Sequence, residues 1–266
     1  MLARSGRSNL DPQPPWRADE PSGSSLMNAP DETDALPEVI GCLCPDRRAW
    51  REEALPCNLR SEEETRVFLQ RQAGRLVTVS HKVISRGGVA ERRCFRVNDG
   101  VVRLVQFYAD GHRQVTRFAF PGDYFGLSQA ERELASEAVS GVTLLEFDAG
   151  RLQQLSDCNP YLAHQLTSAL RASVSQATEH VVLLGRKDPR QRLAVFLRML
   201  HRHLGLGDVV PVPMPRIDIA DYIGLTPETV SRAFAELRRR SIVEDLDRHL
   251  LRLDLSALGH LAEDGV

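Results

Sequence analysis

One short stretch holds side chains whose types and spacing suit base recognition. TPETVSRAFAELRRR, residues 226–240, carries Glu228, Ser231 and Arg232 three and four positions apart. On a helix such positions share one face. A guanidinium there can donate twice, to guanine O6 and N7. A carboxylate can accept from cytosine N4, and a hydroxyl can meet a base edge or a phosphate. Thr226 and Thr229 belong to the same leading turn. Arg238, with Arg239 and Arg240, lies at the far end of the stretch, and Arg248 and His249 lie in a later turn. Those side chains suit phosphate contact. The plainer alternative is an amphipathic helix with a solvated basic end. A second set is the five cysteines, an odd number at spacings that suggest no disulfide framework. No constellation for catalysis is visible, and GRKDPR at 185–190 has too little glycine for a phosphate loop.

The surrounding sequence supplies elements that would position the reading residues. Gly224 can take a turn conformation that a residue with Cβ resists. Thr226 suits a helix cap, Pro227 the first turn, and Glu228 the positive end of the helix dipole. Val230, Phe234 and Leu237 would face inward against Ile219, Ala220 and Ile223 of a preceding helix. Upstream, DPRQRLAVFLRMLHRHL (188–204) reads as a capped helix and VVPVPMP as extended chain. Downstream, IVEDLDRHLLRLD reads as two short strands. Three helices followed by a hairpin is the winged-helix order. The whole stretch alone is compatible with a solvated helix; the paired helix, glycine turn and hairpin favour a reading head.

Further upstream, Leu162, Leu166, Leu170, Val174, Ala177 and Val181 recur three or four apart from Tyr161 to Leu184. A helix of that length with a continuous apolar stripe suits packing on a second copy of itself, although burial on its own sheet is the alternative. Before it, LVTVSHKVI, CFRVND, VVRLVQFY, QVTRFAF and VTLLEF are short strand-like runs between turn signals. NDG at 98–100 and ADG at 109–111 look like hairpin turns. Such strands predict an antiparallel barrel or sandwich. SEEETRVFLQRQ (61–72) reads as a short helix, and residues 1–36 have the composition of a disordered tail. The chain is 42% hydrophobic and 26% charged with a net charge of -2, so any nucleic-acid surface must be local. No apolar run reaches membrane-spanning length, and the expectation is a soluble cytoplasmic protein without a membrane partner.

RIDIADYIGLTPETVSRAFAELRRRSIVE resembles the reading helix and its surroundings in the cyclic-AMP receptor/FNR superfamily of bacterial transcription regulators, and the FNR and FixK branch most closely. The branch's E-x-x-S-R signature falls on Glu228, Ser231 and Arg232. EHVVLLGRKDPRQRLAVFLRML and RLVQFYADGHRQVTRFAFPGDYFGL are similar to the end of the dimer helix and to the sensor core. The resemblance spans roughly residues 60–255. It implies a homodimer that binds a palindrome of the type TTGAT-N4-ATCAA and contacts RNA polymerase.

The same resemblance frames the signal. The family's phosphate cradle uses Gly-Glu-Leu and then Arg-Ser. Here Leu127 follows Gly126, and Glu133 follows Arg132, which argues against a cyclic nucleotide. Heme-binding relatives place Cys and His where this chain has Gly126 and Ser128, and His81, His112, His164 and His180 form no ligand pattern. FNR itself holds an iron–sulfur cluster on three N-terminal cysteines and one in the barrel. Cys42, Cys44 and Cys57 lie in a comparable place at C-x-C-x12-C spacing. Leu145 stands where the fourth cysteine is expected, which leaves Cys94 as the alternative. Four thiolates could hold [4Fe-4S] or zinc, and Cys42 with Cys44 could act as a redox pair. Cys158, before Asn159-Pro160, reads as structural. FixK-type members act without a bound effector, which is a further possibility.

Together these readings predict an α+β chain. Its expected parts are a tail (1–36), a jelly-roll β-barrel resembling cyclic-nucleotide-binding domains with the cysteine segment (37–157), a dimerisation helix (158–184) and a winged helix (185–266). The expected function is a sequence-specific DNA-binding regulator in oxygen- or redox-linked control, not an enzyme. Its rivals are a cyclic-nucleotide-binding module acting on a partner protein, and a redox enzyme that uses the cysteines.

Overall fold

The structure, a computed structural model, describes Glu64, Val67, residues 75–80 and residues 83–263. The expected tail and Cys42, Cys44 and Cys57 lie outside the described residues. Glu64 and Val67 are helical, in line with the short helix expected there.

Eight strands form two four-stranded antiparallel sheets. They are β1 (Arg75–Ser80), β2 (Val83–Ser85), β3 (Arg93–Asp99), β4 (Val102–Phe107), β5 (Arg113–Ala119), β6 (Tyr124–Phe125), β7 (Ala135–Ala138) and β8 (Gly141–Asp148). One sheet runs β1-β8-β3-β6 and the other β2-β7-β4-β5. The expected barrel is therefore not closed. Among the described residues no ladder joins the two sheets, and two of the four edge strands, β2 and β6, are only 3 and 2 residues long. Edges that short, beside register shifts in β2 and β3, present too little backbone to pair across the gap. The two expected hairpins also differ. ADG joins β4 to β5, with Tyr108 N–H donating to the His112 carbonyl at 2.9 Å. NDG instead carries the chain from β3 in one sheet to β4 in the other, with Gly100 at φ 82.

Sheet burial explains the apolar runs. Phe95, Val97, Val102, Leu104 and Leu144 fill the space between the sheets. Cys94, Leu145 and Phe147 point from the opposite face of β3 and β8 into a second cluster. That cluster is covered by Leu152 and Leu155 of α2 (Ala149–Cys158) and by Leu162 and Leu166 of α3 (Pro160–Gly185). A sheet covered on both faces needs consecutive apolar residues, which is why TLLEF does not alternate. The short α1 (Gln129–Glu133) bridges β6 and β7.

The remaining elements are α4 (Pro189–Leu204), β9 (Val209–Pro211), α5 (Arg216–Ile223), α6 (Pro227–Arg239), β10 (Val243–Asp247), β11 (Leu250–Leu253) and α7 (Leu255–Glu263). They form three helices, a β10-β11-β9 sheet and a closing helix. Helix α7 escaped the sequence reading because LSALGHLAE is short and interrupted by Gly259. Asp188 caps α4 by accepting from Arg190 N–H at 2.8 Å, and Asn159 caps α3 from Leu162 N–H at 3.0 Å. Phe196, Leu197, Ile219, Val230, Phe234 and Leu237 have no exposed surface. Each such side chain contributes roughly 1.5–3 kcal/mol of transfer energy. The same cluster continues into Val105, Val115 and Phe118 of β4 and β5, so the helical part and the outer face of the second sheet share one core.

Candidate nucleic-acid interface

The pair α5–α6 is joined by a turn that only a few residue types can make. Gly224 adopts φ 64, ψ 47, the left-handed conformation that ends α5, and its N–H donates to the Ala220 carbonyl. A Cβ there would also lie 3.0 Å from Leu184 Cδ2 and 3.4 Å from Arg192 Nη1. Thr226 then caps α6, its hydroxyl accepting from Thr229 N–H at 3.2 Å. Pro227 occupies the first helical turn. Val230, Ala233, Phe234 and Leu237 seal the inner face, and Arg216 of α5 lies 3.5 Å above the Phe234 ring.

That burial leaves one face of the leading turns in solvent. Thr226, Glu228, Ser231 and Arg232 are exposed and Thr229 is half-buried. Side-chain interactions link Thr226, Glu228, Thr229 and Arg232, while Ser231 bonds the helix backbone. The Thr226 and Thr229 hydroxyls lie 3.1 Å apart, and Arg232 Nη2 donates to Thr229 Oγ1 at 3.2 Å. Ser231 Oγ donates to the Pro227 carbonyl at 2.8 Å. The Glu228 carboxyl is held below the usual carboxylate range, first by its own backbone N–H, then by the Thr226 hydroxyl, with Arg232 adding charge. The arrangement presents a carboxylate acceptor, hydroxyl lone pairs and a guanidinium at a helix N-terminus, the groups that distinguish base pairs in a major groove.

The basic end of α6 is arranged differently. Arg238 Nη2 donates to Asp245 Oδ1 at 3.0 Å and Arg238 Nε lies 2.6 Å from Oδ2, which ties α6 to β10. Arg239 and Arg240 both pair with Glu236, at 2.5 and 2.7 Å. Arg248 is exposed in the β10–β11 turn, away from the leading-turn group in sequence. Sequence reasoning missed Arg192 of α4. Its Nη1 donates to the carbonyls of Ile223 at 3.1 Å and Gly224 at 3.0 Å, and its Nε to Arg186 at 2.7 Å. The only hint in the sequence was that carbonyls at a helix end need donors from somewhere.

The apolar stripe of α3 divides. Leu162 and Leu166 are buried against α2 and the first sheet, at 0% and 8% exposure. Leu170, Val174 and Val181 are bare, at 42%, 66% and 70%, and Ala177 is exposed beside them.

Around β6 and α1, where the departures from the family's phosphate cradle fall, the chain's own groups pair with one another. Arg132 Nη1 donates to the carbonyls of Gly126 and Leu127, both at 3.0 Å. Glu131 accepts from Gly126 N–H at 3.2 Å and pairs with Arg117 at 2.6 Å. Arg117 also donates to Ser173 of α3 at 2.6 Å and to Gln176 at 2.8 Å. The space beside Gly126 and Arg132 is about 10 Å³ and is lined by Glu91 and Glu131. Cys94 is fully buried, its Sγ 3.8 Å from the Phe147 carbonyl, and burial pushes its thiol up to about 12. Cys94 stands in an apolar cluster, and among the described residues no group of three His, Cys, Asp or Glu is placed to hold a metal ion. Leu145 is buried in the same cluster.

Residues 191–261 match a family model described as a Crp-like helix-turn-helix domain. Over 173 residues the chain is 36% identical to the nitrogen fixation regulation protein FixK of Bradyrhizobium diazoefficiens, covering 63% of this chain and 73% of that one. It is 34% identical over 150 residues to the transcriptional activatory protein AadR of Rhodopseudomonas palustris, covering 54% and 63%. Among solved structures, FixK2 from Bradyrhizobium japonicum superposes with a TM-score of 0.65 at 30% identity, covering 70% of this chain and 97% of that one. A CRP-family transcriptional regulator from Thermus thermophilus superposes at 0.59 with 25% identity, covering 70% and 96%.

Proposed function

The chain belongs to the FixK/FNR-like branch of the cyclic-AMP receptor/FNR superfamily, and from that membership we propose how it acts. It is a sequence-specific DNA-binding transcription regulator and not an enzyme. We infer that it binds a TTGAT-N4-ATCAA-like palindrome as a homodimer, with Glu228, Ser231 and Arg232 reading bases in each half-site. Thr226 and Thr229 position Glu228 and Arg232, and Arg238 and the exposed Arg248 would meet phosphates. The observation that carries this is the shared exposure of Glu228, Ser231 and Arg232 on the leading turns of α6, with Arg232 held by Thr229.

The homodimer rests on the bare half of the α3 stripe, where Leu170, Val174, Ala177 and Val181 keep coiled-coil spacing. RNA polymerase is the partner that such a regulator would contact, and the cytoplasm is where that contact would occur. Among the described residues no helix is long and apolar enough to cross a membrane.

For the signal, we propose control that does not enter through a cyclic nucleotide. Two carboxylates, Glu91 and Glu131, stand where a phosphate would have to sit, and Arg132 is already engaged by backbone carbonyls. An oxygen or redox link would rest on Cys42, Cys44 and Cys57, the cysteines grouped before the sheets. An anaerobic preparation assayed for iron, sulfide and zinc, beside a Cys42→Ser variant, tests this. Metal or cluster lost in the variant supports the cysteine segment as the sensor; a metal-free protein with unchanged thiol behaviour removes it. For the DNA function, the test is binding to the palindrome against a scrambled duplex at fixed salt.

A further inference from the structure

A cluster of charges joins the second sheet to the first helix of the DNA-reading pair. Asp218, the third residue of α5, has no exposed surface. Two arginines from neighbouring strands reach it: Arg103 of β4, whose Nη1 donates to Oδ2, and Arg113 of β5, whose Nη2 donates to Oδ1 at 2.7 Å. Arg113 Nε lies 2.7 Å from Asp221 Oδ2, one turn along the same helix. Arg103 is backed by Glu137 of β7, at 2.6 Å. Gln114 donates to the Asp221 carbonyl.

We propose that Arg103 and Arg113, by gripping Asp218, fix the angle at which α5 and α6 are presented, and so set the half-site spacing that the dimer accepts. They are positioning residues and touch no base. The inference rests on the DNA-reading function proposed above.

Three physical points support it. First, guanidinium–carboxylate pairs constrain direction as well as distance, and Arg113 spans two acids on one helix. Second, a buried ion pair adds little net stability compared with apolar packing, and its best-attested use is to specify one arrangement among several. The apolar part of this seam, Val105, Val115 and Phe118 against the helices, supplies attraction without direction. Third, the closed clasp leaves the working surfaces free. Glu228, Ser231 and Arg232 face solvent, as do Leu170, Val174 and Val181 on α3. The clasped arrangement therefore keeps both the reading surface and the bare half of α3 accessible. A dimer reading two half-sites needs its recognition helices a fixed distance apart, so the pose of each head becomes a spacing filter.

The test compares full-length wild type, Arg113→Gln and Arg103→Gln on three duplex types. These are the palindrome, palindromes with the spacer lengthened by one or two base pairs, and an isolated half-site. Wild type is expected to favour the original spacer. Arg113→Gln is expected to lose about tenfold on that duplex while half-site binding stays within about twofold, because freeing the heads lowers the effective concentration of the second contact. The discriminating readout is the spacer profile, which flattens in the variants; general destabilisation would lower all three duplexes alike. An unchanged spacer profile overturns the proposal. So does tighter binding to every duplex, which would make the cluster a restraint. Should Arg113→Gln fail to fold, Arg113→Lys keeps the charge but not the two-acid grip, and its profile decides the matter in the same way. Wild type that binds palindrome and scrambled duplex equally would instead overturn the DNA-reading function itself, and the clasp proposal with it.

Discussion

Arg192 of α4 donates to the carbonyl oxygens of both Ile223 and Gly224, so the turn between the reading helices is held from outside by a third helix. Arg192→Ala removes these two hydrogen bonds and the third from Nε to the Arg186 carbonyl, and should destabilise the fold by at least about 1.5–3 kcal/mol. Chemical denaturation measures this. A midpoint equal to wild type would show that water satisfies the turn equally well.

Arg232→Ala should weaken binding to the palindrome by roughly 1–3 kcal/mol per half-site and relax discrimination at its guanine. Fold stability should hardly change, because Arg232 is exposed and bonds only Thr229 among the described side chains. Anisotropy titrations with a substituted guanine provide the measurement. A wild-type ratio of specific to scrambled binding would refute base reading.

The divided stripe of α3 predicts opposite phenotypes along one helix. Leu162→Ala should cost about 2–5 kcal/mol of stability, as for other buried leucines. Val174→Asp should leave the fold intact and convert a dimer to a monomer, read by sedimentation. Monomeric wild type, or a Val174→Asp dimer, would contradict the assignment of that face.

Two histidines make the seam acid-sensitive. His180 of α3 stacks on Tyr222 of α5 with centroids 4.1 Å apart and lies 2.7 Å from the Tyr222 carbonyl. His203 of α4 stacks on Phe120 at 4.3 Å. Burial holds both imidazoles below the ordinary value, with Asp123 opposing the shift and Arg202 and Arg117 adding to it at His203. The unfolded chain then takes up protons before the folded one. Stability should therefore be full above the unfolded value of 6.5 and fall as pH drops through the depressed folded values. Thermal unfolding of wild type and a His180→Gln, His203→Gln variant between neutral and mildly acid pH checks this; equal pH slopes would exclude the histidines as the source.

The DNA-reading end was the most legible part of the chain. Gly224, Thr226 and Pro227 carry local rules that hold whatever surrounds them, and Val230, Phe234 and Leu237 keep helical period. Contacts across long sequence distance were not legible. Nothing near Asp218 shows that arginines 115 and 105 positions away will pair with it. The apolar run of α3 could not show where its own chain stops covering it, because Leu166 and Leu170 are the same residue type in different surroundings. The barrel expectation failed because strand count and turn signals do not encode whether edges meet. NDG misled for a related reason, since a turn motif leaves open which sheet the next strand joins.

Ser231 spends its only hydroxyl hydrogen on the Pro227 carbonyl. What it can offer a base is therefore lone pairs alone. With Glu228 an acceptor and Arg232 a donor, the free protein already displays a fixed polarity of acceptor, acceptor, donor along the helix. If this face reads bases as proposed, that order would be met by amino groups from cytosine or adenine toward the first two and a guanine edge toward the third. The protein's own internal bonding thus sets which groups this face can offer before any duplex arrives.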